Sequence, residues 1–336
     1  TDKYLITGGA GFIGSNYVHR LLTRGEDVTI YDNLLREGTE KNLEWLYQQH
    51  GKHAFEFIQD DIRNEEAIEK ASLGKQVIVH LAAQVAVTTS VSNPREDFAI
   101  NAQGTFNVLE AARKSGEEPI ILYTSTNKVY GEMDTIAVKE EESRYISLDY
   151  PLGISEKYPL DFHSPYGCSK GCGDQYVRDY YRIYGIPTVV FRQSCIYGTR
   201  QFGMEDQGWL AWFVIAAIKN KPITIYGDGK QVRDVLFIDD LLNAYDKAIQ
   251  NIQQAAGQIF NIGGGPENTI SVWKEFAPLL ERKLAKHIPV NYSNWRPGDQ
   301  KIYVSDIRKI REYLDWQPKI NVEEGVLRLI DWAMSV

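Results

Sequence analysis

A tyrosine and a lysine in the middle of the chain are spaced so that they can act together on one substrate. Tyr166 and Lys170 are four residues apart in a stretch, 166–184, whose apolar spacing predicts a helix, so both side chains lie on one helix face. A free phenol has a pKa of about 10 and is a poor base at neutral pH. A nearby ammonium and an oxidised nicotinamide ring both favour the phenolate. Since this spacing is common by itself, the prediction of an acid–base tyrosine depends on what precedes it.

A glycine-rich turn near the N-terminus predicts a dinucleotide site. In the segment TGGAGFIG, the glycines Gly8, Gly11 and Gly14 permit a tight turn and close backbone approach to a pyrophosphate. The turn follows a short apolar strand and opens a helix, whose free N–H groups attract phosphates. Asp32 lies 18 residues beyond Gly14 (32 − 14), where a carboxylate binds the adenosine ribose and repels a 2′-phosphate. We therefore predict NAD rather than NADP, although Arg36 is a nearby cation that can tolerate the extra phosphate.

Alternating strands and helices in the first half of the chain position these groups. Strands are predicted at Lys3–Thr7, Asp27–Tyr31, Phe55–Gln59, Val77–Leu81, Pro119–Thr124 and Thr188–Arg192, and helices at Gly11–Thr23, Ala99–Lys114 and 166–184. This alternation predicts an α/β fold, a Rossmann-type doubly wound parallel sheet, with a smaller C-terminal α/β substrate lobe. We expect the NAD-binding lobe to cover 1–193, with 232–262 returning to it. The second lobe would cover 194–231 and 263–336.

Composition excludes several classes of protein. The 336 residues carry 37 basic and 45 acidic side chains, a net charge of −8, which does not favour nucleic-acid or membrane-surface binding. No apolar run approaches the length that spans a bilayer, and no signal peptide precedes the first strand. Three cysteines, Cys168, Cys172 and Cys195, match no disulfide or metal pattern and are expected to be buried, reduced thiols. These features predict a cytoplasmic protein without a metal.

The order of the motifs resembles the extended short-chain dehydrogenase/reductase family. The matching residues are the glycine turn, Asp32, Asp61-Ile62, Leu81-Ala82-Ala83, Asn101, Ser125-Thr126, Val129-Tyr130-Gly131 and Tyr166 with Lys170. Downstream, Tyr226-Gly227-Asp228-Gly229, Gln231, Arg233-Asp234 and Arg296-Pro297-Gly298-Asp299 resemble the branch that acts on nucleotide sugars. Because the resemblance covers essentially the whole chain, it implies an NAD-dependent enzyme with a nucleotide-sugar substrate. It also implies a homodimer or homotetramer, in which the helices after 101 and 166 pair between subunits.

The resemblance implies a role for each matching residue. Thr126, Tyr166 and Lys170 would be catalytic, and Asn101 would support the active-site helix. The residues expected around NAD are Gly8, Gly11, Phe12, Ile13, Gly14, Asp32, Asn33, Arg36, Asp61, Ile62, Leu81, Ala82, Ala83, Gln84, Asn101, Tyr166, Lys170 and Gln193. Those expected around the substrate are Thr88, Thr126, Asn127, Lys128, Ser194, Gln207, Tyr226, Arg233 and Arg296. Arg233 and Arg296 would clamp the diphosphate through bidentate contacts. Ser194 would replace an asparagine that contacts the phosphate in many relatives.

Local differences narrow the reaction that the resemblance implies. The 4,6-dehydratases of the family carry an Asp-Glu pair directly after the catalytic threonine, whereas this chain has Asn127 and Lys128. The strings at 125–131, 161–171 and 229–235 are most similar to the CDP-sugar 2-epimerases of the branch, and the long segment Glu132–Ser164 predicts a functional loop. We therefore expect epimerisation at C2 of a CDP-linked sugar, through a 2-keto intermediate and with NAD retained, in lipopolysaccharide or other glycan biosynthesis. The alternatives are a 4-epimerase, a net dehydrogenase and a non-catalytic NAD-binding sensor or scaffold.

Overall fold

The computed structural model describes residues 1–336 and contains sixteen strands and thirteen α-helices. The strands are β1 (Lys3–Thr7), β2 (Asp27–Asp32), β3 (Glu56–Gln59), β4 (Val77–His80), β5 (Ile120–Thr126), β6 (Val138–Glu140), β7 (Tyr145–Ser147), β8 (Thr188–Gln193), β9 (Ile196–Tyr197), β10 (Thr224–Tyr226), β11 (Val232–Asp234), β12 (Leu236–Phe237), β13 (Ile259–Ile262), β14 (Thr269–Ser271), β15 (Asn291–Ser293) and β16 (Ile302–Tyr303). The helices are α1 (Phe12–Thr23), α2 (Thr39–His50), α3 (Glu65–Ser72), α4 (Val87–Ser92), α5 (Pro94–Phe98), α6 (Gly104–Ser115), α7 (Ser164–Tyr184), α8 (Trp209–Ile218), α9 (Ile238–Gln250), α10 (Ile252–Ala255), α11 (Phe276–Leu284), α12 (Arg308–Leu314) and α13 (Val322–Ser335).

Seven of the strands form one parallel sheet in the order β3-β2-β1-β4-β5-β8-β13. Its inner strands are largely apolar and buried on both faces because neighbouring residues enter two different cores. Tyr4 and Ile6 of β1 belong to a large core on one face, whereas Leu5 belongs to the core on the other face, with Ile78 and Ile121. Burial on both faces is what a doubly wound sheet requires. The predicted Rossmann-type fold is confirmed.

A smaller lobe follows β8 and is built from short strands and helices. It contains the parallel pair β10 and β15, the three-stranded sheet β14-β11-β16, and helices α8 and α11. Phe213 of α8 packs edge-on against Trp273, and Phe276 of α11 lies against both rings. Between β11 and β13 the chain returns to the large sheet, where Asp246 of α9 accepts a hydrogen bond from the Tyr17 hydroxyl of α1 (3.0 Å).

Several elements differ from the sequence-based expectation. The single helix predicted at Ala99–Lys114 is a π-helix, Ala99–Gln103, that continues into α6. Helices α2, α3 and α9 and strand β13 were not predicted from the sequence. Cys168 is exposed and Cys172 and Cys195 are partly buried, so the expectation of three buried thiols is wrong; all three are free. The helices are all too short or too polar to traverse a lipid bilayer.

The long segment Glu132–Ser164 ties the two lobes together. It contains the hairpin of β6 and β7, and its Arg144 makes a two-point ion pair with Glu275 (2.9 and 2.8 Å). Further on, the Ile154 N–H donates to the Val304 carbonyl (2.7 Å). Only the two ends of the segment reach the cavity described next, so most of this segment is a structural brace.

Candidate active site

One cavity of about 1090 Å³ lies between the carboxyl ends of the large sheet and the smaller lobe. This edge is where open parallel sheets bind ligands. The structure places every candidate residue named from the sequence on its wall except Asn101 and Ser194. The glycine turn and Asp32 are at one end, Thr126, Tyr166 and Lys170 are in the middle, and Arg233 and Arg296 are contributed by the smaller lobe.

The glycine turn forms a backbone cradle that side chains cannot enter. Gly8 has φ of +70°, and a Cβ on Gly14 would lie 2.2 Å from the Gly8 carbonyl oxygen. At the end of β2, the Asp32 carboxylate accepts hydrogen bonds from the N–H groups of Ala10 (3.0 Å) and Leu34 (2.9 Å), which fixes its direction. A bare backbone next to an oriented carboxylate fits a pyrophosphate and an adenosine ribose, so these residues suit NAD.

Beyond Asp32, the cavity ends in a polar cluster around Asp61. Asn33 donates to the Asp61 carboxylate (3.0 Å), and Arg63 makes a two-point contact with it (2.9 and 2.8 Å). Hydrogen bonds from Arg63 are the main reason that the pKa of Asp61 falls to about 2. Arg63 lines the cavity and was missed by the sequence analysis, although its position two residues after Asp61 suits such a pair.

The three predicted catalytic residues come together where β5 ends and α7 begins. The Lys170 ammonium donates to the Thr124 carbonyl and lies 4.6 Å from the centre of the Tyr123 ring. Burial raises the pKa of Tyr166 to about 12, against the effect of its hydrogen bond with Thr126, and burial lowers the pKa of Lys170 to about 8. Both shifts disfavour the charged forms, so an opposite charge placed beside either group has a large effect on its protonation.

A buried amide network, rather than a direct contact, explains the position of Asn101. The Asn101 side chain accepts from the Gln84 N–H (2.8 Å) and donates to the Gln84 carbonyl (2.9 Å), so it holds the backbone of a cavity residue without lining the cavity itself. Its amide also donates to the Ser169 hydroxyl of α7 (3.2 Å), so Asn101 supports the active-site helix and does not line the cavity, which corrects its assignment as a cofactor contact. The Asp97 carboxylate accepts from Gln84 (2.8 Å) and Asn101 (3.2 Å), and its second oxygen has no partner. Asp97 was not predicted from the sequence.

A single 3-10 turn, Asn127–Tyr130, carries the two residues that follow Thr126. The Lys128 N–H donates to the Thr126 hydroxyl (3.2 Å). The turn is fixed at its far end, where the Tyr130 hydroxyl donates to Asn261 (2.6 Å) and Gly131 adopts φ of +78° close to Asp161. The side chains of Asn127 and Lys128 face the cavity.

Both arginines of the smaller lobe are paired with carboxylates. Arg233 contacts Asp299 (2.7 Å), and Arg296 contacts Asp206 (3.3 Å) while its guanidinium lies 4.2 Å from the centre of the Tyr226 ring. Asp206 also accepts from Thr88 (3.1 Å). The carboxylates of Asp299 and Asp206 already neutralise the two guanidinium groups. An anion that binds at this end of the cavity therefore competes with these carboxylates for the arginines.

Ser194 does not face the substrate end of the cavity. It is fully buried and donates to the Asp234 carboxylate (2.7 Å), which corrects its assignment as a substrate contact. The next residue, Cys195, lines the cavity instead, with its sulfur 3.4 Å from the Trp209 indole nitrogen. Position 195 adopts φ of +40°, and this local turn decides which of two adjacent side chains points inwards.

A doubly wound sheet whose one large cavity joins a glycine cradle to a buried tyrosine–lysine pair defines a dinucleotide-dependent class of α/β protein. The GDP-mannose 4,6 dehydratase family model matches residues 5–329. The chain belongs to this family, within the extended short-chain dehydrogenases/reductases that the sequence motifs indicated.

Relatives of known structure and activity match over nearly the full length. CDP-paratose 2-epimerase from Salmonella typhi is 46% identical, covering 99% of this chain and 100% of the relative. The structure of UDP-glucose 4-epimerase from Thermotoga maritima with UDP-glucose has a TM-score of 0.84 at 30% identity, covering 99% of both chains. UDP-glucuronic acid 4-epimerase from Bacillus cereus, solved with UDP-glucuronic acid and NAD, has a TM-score of 0.84 at 28% identity, again covering 99% of both chains.

Proposed function

We propose that this protein is an NAD-dependent epimerase that inverts C2 of a CDP-linked sugar. The observation that carries the proposal is the meeting of Thr126, Tyr166 and Lys170 in one cavity with a dinucleotide cradle on one side and two arginines on the other. The full-length similarity to a CDP-paratose 2-epimerase supports the choice of C2 and of the cytidine nucleotide.

The residues of the cavity have different roles in this reaction. When bound, NAD supplies an acceptor for a hydride from the sugar and a donor that returns it. Tyr166 removes the proton of the C2 hydroxyl, and the Thr126 hydroxyl holds the oxygen in place. Arg233 and Arg296 hold the diphosphate while the oxidised sugar turns its other face, after which Tyr166 gives the proton back. Lys170 lies one turn further along the same helix, and its positive charge favours the deprotonated form of the phenol.

Two other reactions of the family remain alternatives. A 4-epimerase would use the same three catalytic residues on a sugar placed differently, and the solved 4-epimerases share the fold. A net dehydrogenase would exchange its cofactor after each oxidation. A 4,6-dehydratase is disfavoured because Asn127 and Lys128 stand where elimination needs an acid and a base.

The decisive experiment incubates the purified protein with CDP-paratose, CDP-glucose, UDP-glucose and UDP-glucuronic acid and follows the products by NMR. We expect inversion at C2 of a CDP-sugar, and deuterium placed at C2 is retained through the reaction in ordinary water. Inversion at C4 would assign the chain to the 4-epimerases. Solvent deuterium appearing at C2 would rule out direct return of the hydride, and steady growth of NADH absorbance with excess NAD would indicate a net dehydrogenase.

The proposed reaction also predicts that the cofactor is retained. Because the reaction has no net oxidation, we propose that NAD stays bound between turnovers. Mass spectrometry of the nucleotides released by denaturation tests this proposal.

Free thiols are consistent with a cytoplasmic location. Exposed Phe106 and Tyr176 touch across α6 and α7, with ring centres 6.0 Å apart, and favour pairing with a second copy as a homodimer or homotetramer. The product would serve lipopolysaccharide or other glycan synthesis.

A further inference from the structure

Lys128 brings a positive charge into the middle of the cavity. Its side chain lines the cavity, and its backbone N–H is bonded to the Thr126 hydroxyl. The base of the lysine side chain is therefore fixed beside a catalytic oxygen. From the smaller lobe, Arg233, Asp299 and Cys195 lie close enough to influence the charge on the ammonium. Lys128 and Arg233 thus line the same cavity, and their charges act on each other.

Unlike the two arginines, the Lys128 ammonium has no hydrogen-bond or ion-pair partner in the protein. Arg233 is bonded to Asp299, and Arg296 is bonded to Asp206. Burial lowers the pKa of Lys128, and the charge of Arg233 lowers it further. A desolvated cation next to another cation is unfavourable on its own, and an anion bound between the two relieves both effects.

We propose that Lys128, together with Arg233, binds the sugar-proximal phosphate of the substrate diphosphate and so holds the anomeric end of the sugar beside Thr126. This inference rests on the proposed function and changes the role expected of Lys128, from orienting the sugar to anchoring its phosphate. An ammonium is suited to a phosphate oxygen, which accepts charge-assisted hydrogen bonds.

The proposed anchor also explains why C2 reacts. C2 is bonded to the anomeric carbon that carries the phosphate, whereas C4 lies on the opposite side of the ring. A phosphate held next to Thr126 brings the C2 hydroxyl to Tyr166 and keeps the C4 hydroxyl away. Lys128 is therefore a residue that determines the position of attack.

Binding of two nucleotides that differ by one phosphate tests this assignment. CDP has the sugar-proximal phosphate and CMP lacks it, so calorimetric titration of both into the NAD-loaded protein isolates the contact. For Lys128→Met we expect the affinity for CDP to fall about tenfold or more and the affinity for CMP to change less than about twofold. Lys128→Arg keeps a cation at this position and is expected to retain most of the affinity for CDP.

Lys139→Met is the matched control, because Lys139 is exposed on β6 and makes no side-chain hydrogen bond or ion pair. Equal losses for CDP and CMP, or no loss for either, would overturn the assignment. If Lys128→Met fails to fold by circular dichroism, Lys128→Gln carries the same expectation. The pair UDP and UMP is titrated in parallel. If the wild-type protein prefers UDP, the cytidine assignment fails, but the comparison of diphosphate with monophosphate still decides the role of Lys128.

Discussion

At the scale of single residues, burial controls the chemistry of the site. Tyr166 and Lys170 were predicted from their spacing on one helix face together with the dinucleotide motif that precedes them. The shifts in their pKa values were not predictable, since these come from packing that residue spacing does not show. For the same reason Asn101 was predicted from the sequence but its hydrogen-bond partner Asp97 was not. Ser194 was predicted to contact the substrate, whereas in the structure Cys195 lines the cavity and Ser194 is bonded to Asp234.

Removal of the Tyr166 hydroxyl is expected to slow the reaction strongly without releasing the bound NAD. In Tyr166→Phe the ring is kept but no proton can be exchanged with the sugar, so we expect kcat to fall by about 10²–10⁴-fold. NMR of the epimerised sugar measures the rate, and mass spectrometry of the released nucleotides checks that NAD remains bound. Cellular function that survives this substitution would instead favour a non-catalytic sensor or scaffold.

The buried carboxylate of Asp97 is expected to shift the pH profile. Its negative charge raises the pKa of Tyr166, on which Arg36 acts in the opposite direction, and it also raises the pKa of Lys170. In Asp97→Asn both pKa values fall, so the phenolate forms at lower pH and the ammonium is also lost at lower pH. Both limbs of the plot of kcat/KM against pH should move to lower pH. The exposed Asp179→Asn on α7 serves as control, and an unmoved profile in Asp97→Asn would contradict the argument.

At the scale of elements, a buried ion pair holds the catalytic helix against the sheet. Asp174 of α7 makes a two-point contact with Arg192 of β8 (both 2.9 Å) and also accepts from Ser125 of β5 (2.6 Å). The sequence predicted both elements closely but not this tie. Such a pair depends on strand order, because β5 and β8 become neighbours only in the folded sheet.

Breaking this tie is expected to cost far more stability than breaking an exposed pair on the same helix. Asp174→Ala leaves the guanidinium of Arg192 buried without a partner, so we expect the free energy of unfolding to fall by about 3–5 kcal/mol. Asp179→Ala removes the exposed pair with Arg182 (2.7 Å), for which we expect about 1 kcal/mol or less. Urea unfolding of both variants measures the difference, and similar losses would show that the buried pair has no special role.

At the scale of the whole molecule, the two lobes meet around one cavity. The sequence predicted the two lobes but not the contacts between them. The alternation of elements predicted a sheet and a smaller lobe, and the returning strand β13 joins the sheet beside β8. The bracing role of the Glu132–Ser164 segment was not predictable, because Arg144 and Glu275 are 131 residues apart. Contacts between residues so far apart in the sequence cannot be predicted from the spacing of residues within one element.

The exposed aromatic pair on α6 and α7 is expected to mediate self-association. Phe106 and Tyr176 are 42% and 48% exposed, and burying such rings against a second copy favours the assembled state. The double substitution Phe106→Asp and Tyr176→Asp should therefore produce a monomer in sedimentation-velocity experiments, whereas we expect the wild type to sediment as an oligomer. Met334→Glu changes an exposed apolar residue of α13 and should leave the mass unchanged. A wild-type monomer would contradict the prediction.

The 3-10 turn after β5 has a consequence for how this family diversifies. Tyr130, Gly131 and the Thr126 hydroxyl hold the turn, whereas the side chains at 127 and 128 line the cavity and make no hydrogen bond that holds it. Substitutions at these two positions therefore leave the hydrogen bonds of the turn intact. An exchange of carboxylates for an amide and an ammonium there replaces the acid and base available to the substrate while the hydrogen bonds of the turn stay in place.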